Sequence, residues 1–284
     1  MESPFKVDLE AAELWGVIDG DTLTVTIDRP EKRNAITADG YHGIKRAAMI
    51  VADEPALDFL VITGTGDAFC AGGDMNMSVG AGRSWDAFTD VMDATPFETL
   101  GRIPKIVVCA VNGICMGGGM VMTLFADLVL ASDAARFRIP DLTRGVYEAY
   151  LAARLPQRVG TLRANHLLYG HDWFDANEAA RLGLVGAVVP HDDLAQSTAA
   201  LLERVRRTGP SARAAVKREM ARALPSVDTA GYWASIGTAE QMEAFTTFLE
   251  KRDPRWPRTD DRDGFLNAVR RPYWQQIDQP EGAS

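Results

Sequence analysis

The sequence predicts an α/β fold in which short strands alternate with helices, followed by a helical second half. Twice, an apolar segment typical of a buried strand runs into a glycine-rich turn, first in Phe59 to Asp74 and again in Val108 to Met122. Beyond about residue 142, amphipathic segments are separated by Gly and Pro. This periodicity by itself indicates an α/β protein with short crossovers.

Length and composition exclude several classes of protein. A chain of 284 residues can form one large domain, or one domain with a small appendage. Its 46% hydrophobic and 24% charged residues are typical of a soluble globular protein, and a net charge of -9 argues against nucleic-acid binding. The sequence contains neither a signal peptide nor an apolar run of the about 18 residues that a membrane span needs. We therefore expect a cytoplasmic protein without nucleic-acid or membrane partners.

Cysteine and histidine positions do not suggest a metal site. Cys70, Cys109 and Cys115 have no paired spacing, and the four histidines are scattered. We expect buried, reduced thiols.

Local signals place the elements of the first half. Alternating residues from Glu13 to Gly20 and from Thr22 to Asp28 predict a hairpin, and Thr37 is a good N-cap for the next helix. That helix carries apolar residues at helical spacing: Tyr41, Ile44, Ala47, Ala48 and Val51. The remaining segments predict strands Phe59 to Thr63, Ile106 to Val111, Asp127 to Ala131 and Arg136 to Ile139, and a helix Met120 to Ala126.

The segment from Met75 to Gly101 is predicted to be a loop followed by a helix that Ser84 caps. It could be a mobile wall over a pocket or simply part of the core. The helices predicted in the second half are Leu142 to Val159, Thr161 to Tyr169, Ala176 to Leu182, Asp192 to Arg207 and Ser211 to Leu224. Asp228 is expected to cap a last long helix that reaches Lys251, and aromatic residues predict that the tail from Arg252 to Ser284 docks on the protein.

The two glycine turns could bind an anionic oxygen through their backbone N–H groups. Glycine permits positive φ and a close approach to the backbone, and the first N–H groups of a helix lack intrahelical acceptors. Two such turns could hold one oxygen, as a thioester carbonyl requires when it becomes an enolate or a tetrahedral oxyanion. The alternative is that the glycines only allow helix and sheet to pack tightly.

Together with Asp28 to Thr37 (DRPEKRNAIT), the two stretches resemble the three signatures of the enoyl-CoA hydratase/isomerase, or crotonase, superfamily. The signatures occur in the expected order, and the resemblance extends from about Leu14 to Trp256. It implies a crotonase-like spiral of ββα repeats over residues 1–200 and a C-terminal helical oligomerisation region with an extended tail over residues 201–284. It also implies a homotrimer or a dimer of trimers.

By motif position, the resemblance assigns the two oxyanion N–H donors to Gly73 and Gly118. The residues that it places against coenzyme A are Arg33, Ala35, Ala71, Asp74 and Met75. Coenzyme A enters as part of an acyl-CoA substrate, and no separate cofactor or metal is implied. Arg33 could instead belong to a solvated turn, and Asp74 could only cap a helix.

Proton transfer is the point at which the sequence departs from the hydratases of the family. Their first glutamate lies two residues after the triple glycine, where this chain has Val121, which can neither hold water nor carry a proton. The second carboxylate position matches Asp141. Glu148, counted back from Arg154, falls where dienoyl-CoA isomerases place an acid. The alternatives are a helix cap for Asp141 and a surface or capping carboxylate for Glu148.

The sequence therefore predicts an acyl-CoA enzyme in which isomerisation, or a specialised lyase or hydrolase reaction, is favoured over standard hydration. A lone carboxylate beside a stabilised enolate can move a proton between two carbons. A tyrosine, Tyr147 or Tyr150, could donate to an intermediate. The alternative of another class is a catalytically silent subunit that binds CoA thioesters.

Overall fold

The computed structural model describes residues 4–74, 96–170 and 172–256. The predicted helix after Ser84, Met75 and the tail beyond Trp256 lie outside the described residues. The chain forms two compact units, and the first comprises residues up to 140 together with 150–226. Residues 141–149 and 227–256 belong to the second unit.

The strands of the first unit form two sheets. In chain order they are β1 Phe5–Val7, β2 Leu14–Asp19, β3 Thr22–Ile27, β4 Phe59–Gly64, β5 Ala68–Cys70, β6 Ile106–Val111, β7 Ile114–Met116, β8 Leu128–Ser132, β9 Arg136–Arg138, β10 Phe174–Asp175 and β11 Ala187–Val189. The larger sheet has the order β1-β2-β3-β4-β6-β8-β11, and the smaller one has the order β10-β9-β7-β5. Strands β3, β4, β6, β8 and β11 run parallel.

The helices of the first unit are α1 Ala38–Asp53, α2 Phe97–Arg102, α3 Gly118–Phe125, α4 Ala149–Val159, α5 Thr161–Gly170, α6 Ala176–Arg181, α7 Leu194–Arg206 and α8 Pro210–Arg222. Those of the second unit are α9 Thr229–Ser235 and α10 Ala239–Glu250. No helix in the described ranges is long and apolar enough to cross a membrane. The cytoplasmic location stays a prediction.

Several local predictions are confirmed. The hairpin pairs Leu14 with Ile27 and Asp19 with Thr22, and Gly20 turns it with φ +58°. Thr37 caps α1 by accepting a hydrogen bond from the N–H of Gly40 at 3.2 Å, and the predicted apolar stripe of this helix is buried.

Two predicted long helices are wrong. The segment from Leu142 to Val159 is a 3-10 turn, Asp141–Arg144, followed by a non-helical stretch and then α4. Gly145 breaks it with φ +65°, and a Cβ there would lie 2.7 Å from the backbone of Glu240. Asp228 does cap a helix, but that helix ends at Ser235, and Gly237 with φ +80° separates it from α10. In both places, a left-handed glycine ends the helical turn.

The second glycine stretch is more elaborate than a strand, a turn and a helix. After β6 the chain crosses to the smaller sheet as β7 before it reaches the triple glycine. Asn112 stabilises the crossing, because its side chain accepts from the N–H of Gly64 at 3.1 Å and donates to the carbonyls of Gly66 and Ala68 at 3.0 Å. Helix α7 covers the larger sheet, where Leu194 and Leu202 pack on residues of β4, β6 and β8.

A buried ion pair fastens α8 to the sheet. The Lys217 ammonium lies 2.7 Å from Asp127 Oδ2 and donates to the carbonyls of Leu100 and Lys105, both at 2.9 Å. The same carboxylate oxygen accepts from the N–H of Val107 at 2.8 Å. Burial raises the pKa of Asp127 and lowers that of Lys217, and the opposite charge of each opposes the shift of the other.

We expect Lys217→Met to lower the free energy of unfolding by about 3–5 kcal/mol, because it leaves a largely buried carboxylate without its cation. Urea denaturation measures the change. Arg222→Met, on an exposed position of the same helix, should change stability little. Adding Asp127→Asn should restore much of the loss, and no recovery would mean that the ion pair is not its cause.

Candidate active site

A tight loop before α1 forms one wall of the site. Arg33 and Asn34 adopt left-handed conformations, with φ +52° and +56°. The buried Asn34 side chain accepts from the N–H of Arg29 at 2.9 Å and donates to the carbonyls of Thr65 at 2.9 Å and Ala68 at 2.6 Å. Asn tolerates this conformation better than most residues, and these bonds fix the loop against the strand-to-turn segment that follows β4.

The loop pairs with the first glycine turn. The N–H of Ile36 donates to the carbonyl of Gly72 at 2.9 Å, and the N–H of Asp74 donates to the carbonyl of Ile36 at 2.8 Å. Since Ile36 bonds the residues on both sides of Gly73, as in a parallel bridge, the N–H of Gly73 points away from it. Gly72, with φ +96°, makes the turn that exposes Gly73.

The second glycine turn lies directly beside the first. Gly117, with φ +48°, precedes α3, and Gly118 is the first residue of that helix. A Cβ on Gly72 would lie 3.4 Å from the backbone nitrogen of Gly118. Among the described residues, neither Gly73 nor Gly118 donates its N–H to a protein acceptor. Within this part of the chain, two amide donors without a protein acceptor therefore lie at adjacent turns of the first unit.

The predicted coenzyme A contacts that the structure describes cluster at the same loop. The N–H of Ala71 donates to the carbonyl of Arg33 at 3.0 Å. Asp74 is buried and pairs with Arg29 at 2.9 Å, and Arg29 also donates to the carbonyl of Ala35 at 2.9 Å. Arg29 was not predicted from sequence, since a cation before a proline turn gives no local signal of this pairing. The roles of these residues in binding stay predictions.

One residue beside the glycine turns was predicted only as core. Tyr41 on α1 is 8% exposed, and its hydroxyl lies where a Cβ on Gly118 would overlap it. The same oxygen would lie 3.6 Å from a Cβ on Gly73. Tyr41 thus reaches both turns.

Val121 and the three cysteines are buried residues without a charged group. Val121 on α3 is 1% exposed and offers no polar group. The three cysteines are unpaired and buried, as predicted, and burial raises the pKa of the Cys70 thiol to about 12. Within the described ranges, no three His, Cys, Asp or Glu side chains come together as metal ligands would.

The two predicted carboxylates belong to the second unit. Asp141 opens the 3-10 turn, and its Oδ2 is inaccessible and has no hydrogen-bond partner in the described part of the chain. Burial raises the pKa of Asp141 to about 6, although its own backbone N–H and Arg144 act in the opposite direction. Asp141 therefore titrates closer to neutral pH than an ordinary aspartate.

Glu148 is 5% exposed, so the surface alternative for this residue is wrong. It directly precedes α4, which leaves the capping alternative open. Its neighbour Tyr147 donates its N–H to the Ser235 hydroxyl at 3.1 Å. Burial, followed by the charges of Asp228 and Glu148, raises the pKa of the Tyr147 phenol, which stays protonated at neutral pH.

This geometry defines a class of protein that can hold an anionic oxygen between two backbone amides. Comparison with known proteins agrees: residues 18–259 match the family model described as enoyl-CoA hydratase/isomerase. The chain belongs to the enoyl-CoA hydratase/isomerase family and is an acyl-CoA enzyme of that family.

Individual relatives support the same assignment. The chain is 33% identical over 240 residues to a crotonyl-CoA hydratase of Syntrophomonas wolfei, covering 80% of this chain and 90% of the relative. It is 34% identical over 257 residues to a mevalonyl-coenzyme A hydratase of Aspergillus fumigatus, covering 82% and 90%. An enoyl-CoA hydratase structure from Mycobacterium avium subsp. paratuberculosis matches with a TM-score of 0.75 at 23% identity, covering 87% and 99%. The predicted crotonase-like fold is confirmed.

We expect Gly118→Ala to lower the free energy of unfolding by about 1–3 kcal/mol, because its Cβ would overlap the Tyr41 hydroxyl. In a Tyr41→Phe background the loss should be smaller, since the nearest remaining ring atom, Cζ, would lie 3.3 Å away. Urea denaturation of the two single variants and the double variant measures the coupling. Equal losses in both backgrounds would show that the hydroxyl is not the obstacle.

Proposed function

We propose that this chain binds an acyl-CoA thioester with its carbonyl oxygen between the N–H groups of Gly73 and Gly118. The adjacency of these two unbonded donors is the observation that carries the proposal. Preorganised donors stabilise an enolate oxygen more than a neutral carbonyl, so they lower the barrier to removing a proton next to the thioester. The coenzyme A part is assigned to Arg33, Ala35, Ala71, Asp74 and Met75, with no separate cofactor.

Asp141 is the proposed proton carrier, with Glu148 as a second candidate. An unbonded carboxylate oxygen and a pKa raised to about 6 suit a base that must take up and return a proton near neutral pH. Burial of Glu148 is consistent with a second acid, and two carboxyl groups with different environments can divide the roles of acid and base.

Val121 favours isomerisation, or a specialised lyase or hydrolase reaction, over standard hydration. Hydration through two glutamates needs a carboxylate where this chain places a buried valine. The relatives are named hydratases, and these names describe those proteins. One carboxylate beside an enolate is sufficient to move a proton from one carbon to another.

The proposal is tested by incubating the protein in deuterated water with 2-enoyl, 3-enoyl, dienoyl and cyclic acyl-CoA thioesters and following mass. We expect deuterium incorporation without added water, because a base exchanges its proton with solvent while the enolate is held. Asp141→Asn should lower the exchange rate by roughly 10²–10⁴-fold. Glu148→Gln tests the second carboxyl in the same way, and Asp253→Asn, an exposed position of the second unit, is the matched control.

The other outcomes of this experiment are distinct. Gain of one water would establish hydration, and release of free CoA would establish hydrolysis. Failure of every thioester to react would favour the silent binding subunit. If Asp141 is the base, kcat/KM should fall about tenfold per pH unit below about pH 6, because protonation removes the form that accepts a proton. Persistence of that acidic limb in Asp141→Asn would exclude this residue.

We also propose that the chain assembles as a homotrimer or a dimer of trimers. Each unit exposes large apolar side chains on one helix face: Leu162 and Tyr169 on α5 are 83% and 71% exposed, and Met242 and Leu249 on α10 are 43% and 64% exposed. Large apolar side chains exposed on one helix face are typical of protein interfaces.

Light scattering should give three or six times the chain mass of 30.9 kDa. Leu162→Glu should reduce the assembly, because it would bury a charge without a partner. Thr161→Glu, at the neighbouring exposed position, is the control. A wild-type mass of one chain would contradict the proposal.

A further inference from the structure

We infer that the Tyr41 hydroxyl is a third donor to the thioester oxygen, in addition to the N–H groups of Gly73 and Gly118. This inference rests on the proposed function, in which two backbone amides hold the oxygen, and it adds a side-chain donor to them. All three groups belong to the first unit.

The position of the hydroxyl carries the inference. Tyr41 Oη lies so close to Gly118 that any Cβ there would overlap it, and it would lie 3.6 Å from a Cβ on Gly73. An oxygen that accepts from both amides must lie about 2.9 Å from each nitrogen. The phenol oxygen lies on the Cβ side of both glycines, and a hydroxyl can rotate its hydrogen toward an oxygen held beside them.

The phenol is held rigidly, as a preorganised donor must be. The Tyr41 ring packs edge-on against Phe97 at 5.8 Å between centroids, and Phe97 packs against Tyr150 at 5.0 Å and Phe125 at 6.2 Å. The contacts of Phe97 with Tyr41 and with Tyr150 are edge-to-face, and contacts of this kind favour a fixed ring orientation. A donor that is already oriented needs no reorganisation when the negative charge develops.

The helix that carries Tyr41 is also anchored beneath the site. The N–H of Tyr41 donates to the Thr37 carbonyl at 3.0 Å. Both the hydroxyl and the N–H of Thr37 donate to the buried Glu13 carboxylate, the N–H at 3.2 Å. The first turn of α1 is thus fixed by charge-assisted hydrogen bonds.

On this basis Tyr41 acts without transferring its proton. The phenol keeps its hydrogen and shares it with the enolate oxygen as a hydrogen-bond donor. Its hydrogen bond strengthens as charge moves from the α-carbon to oxygen, so it stabilises the transition state more than the bound substrate. Loss of one such donor typically lowers kcat roughly 10²–10³-fold.

The test compares wild type and Tyr41→Phe using butyryl-, octanoyl- and benzoyl-CoA labelled with ¹³C at the carbonyl. Infrared difference spectra report how strongly the bound carbonyl is polarised, and titration gives the Kd. We expect binding to wild type to lower the stretching frequency, and binding to Tyr41→Phe to lower it less. With butyryl- and octanoyl-CoA, which carry α-hydrogens, deuterium exchange at the α-carbon should slow by about 10²-fold, with Kd changing less than about threefold.

Ser211→Ala removes an exposed hydroxyl from α8 and should match wild type. A purely structural role for Tyr41 would change thermal stability while leaving the bound carbonyl frequency unaltered. A Tyr41→Phe shift equal to that of wild type would overturn the inference while leaving the two-amide site intact. No carbonyl shift with any of the three thioesters in wild type would overturn both the two-amide site and the role of Tyr41.

Discussion

The geometry of the candidate site depends on the close approach of two backbone segments that lack side chains. A Cβ on Gly119 would lie 2.5 Å from the carbonyl oxygen of Cys70, and a Cβ on Gly72 would lie 3.4 Å from the nitrogen of Gly118. A side chain at Gly119 would push the strand end and the helix start apart. The glycines therefore set the separation of two amide donors whose orientation requires no side-chain rotamer to be fixed.

The surrounding polar groups hold that separation. Asn34 is fully buried, and its amide bridges the loop before α1 to the segment after β4. Arg29 joins the same loop to Asp74, just past the first glycine turn. These bonds lie within the protein itself, so the positions of the donors are a property of the fold. Preorganisation of this kind reduces the reorganisation that a developing charge would otherwise require.

Sequence predicted the features that local chemistry specifies and missed those that tertiary contacts specify. The hairpin around Gly20, the Thr37 cap and the glycine turns follow from residue type and spacing alone. The helix break at Gly145 lies against α10, where a Cβ would lie 2.7 Å from the backbone of Glu240, and sequence periodicity does not reveal this contact. The short strands β1, β7 and β11 are defined by their partners. Sequence spacing placed Tyr41 in an apolar helical stripe. It could not show that the Tyr41 hydroxyl lies beside Gly73 and Gly118, because that contact forms only in the folded protein.

The proposed roles of Val121, Asp141 and Tyr41 fit one energetic requirement. A carboxylate with a pKa of about 6 is a weak base for a carbon acid, and a single carboxylate lacks the assistance of a second one at position 121. For the proposed proton transfer to be fast, the difference in pKa between the substrate α-carbon and Asp141 must be reduced, and this requires a more acidic α-carbon. Each preorganised donor to the enolate oxygen contributes roughly 2.7–4 kcal/mol, or about two to three pKa units. In the proposed mechanism, a third donor would make the substrate α-carbon more acidic, whereas a second carboxylate would have assisted the base.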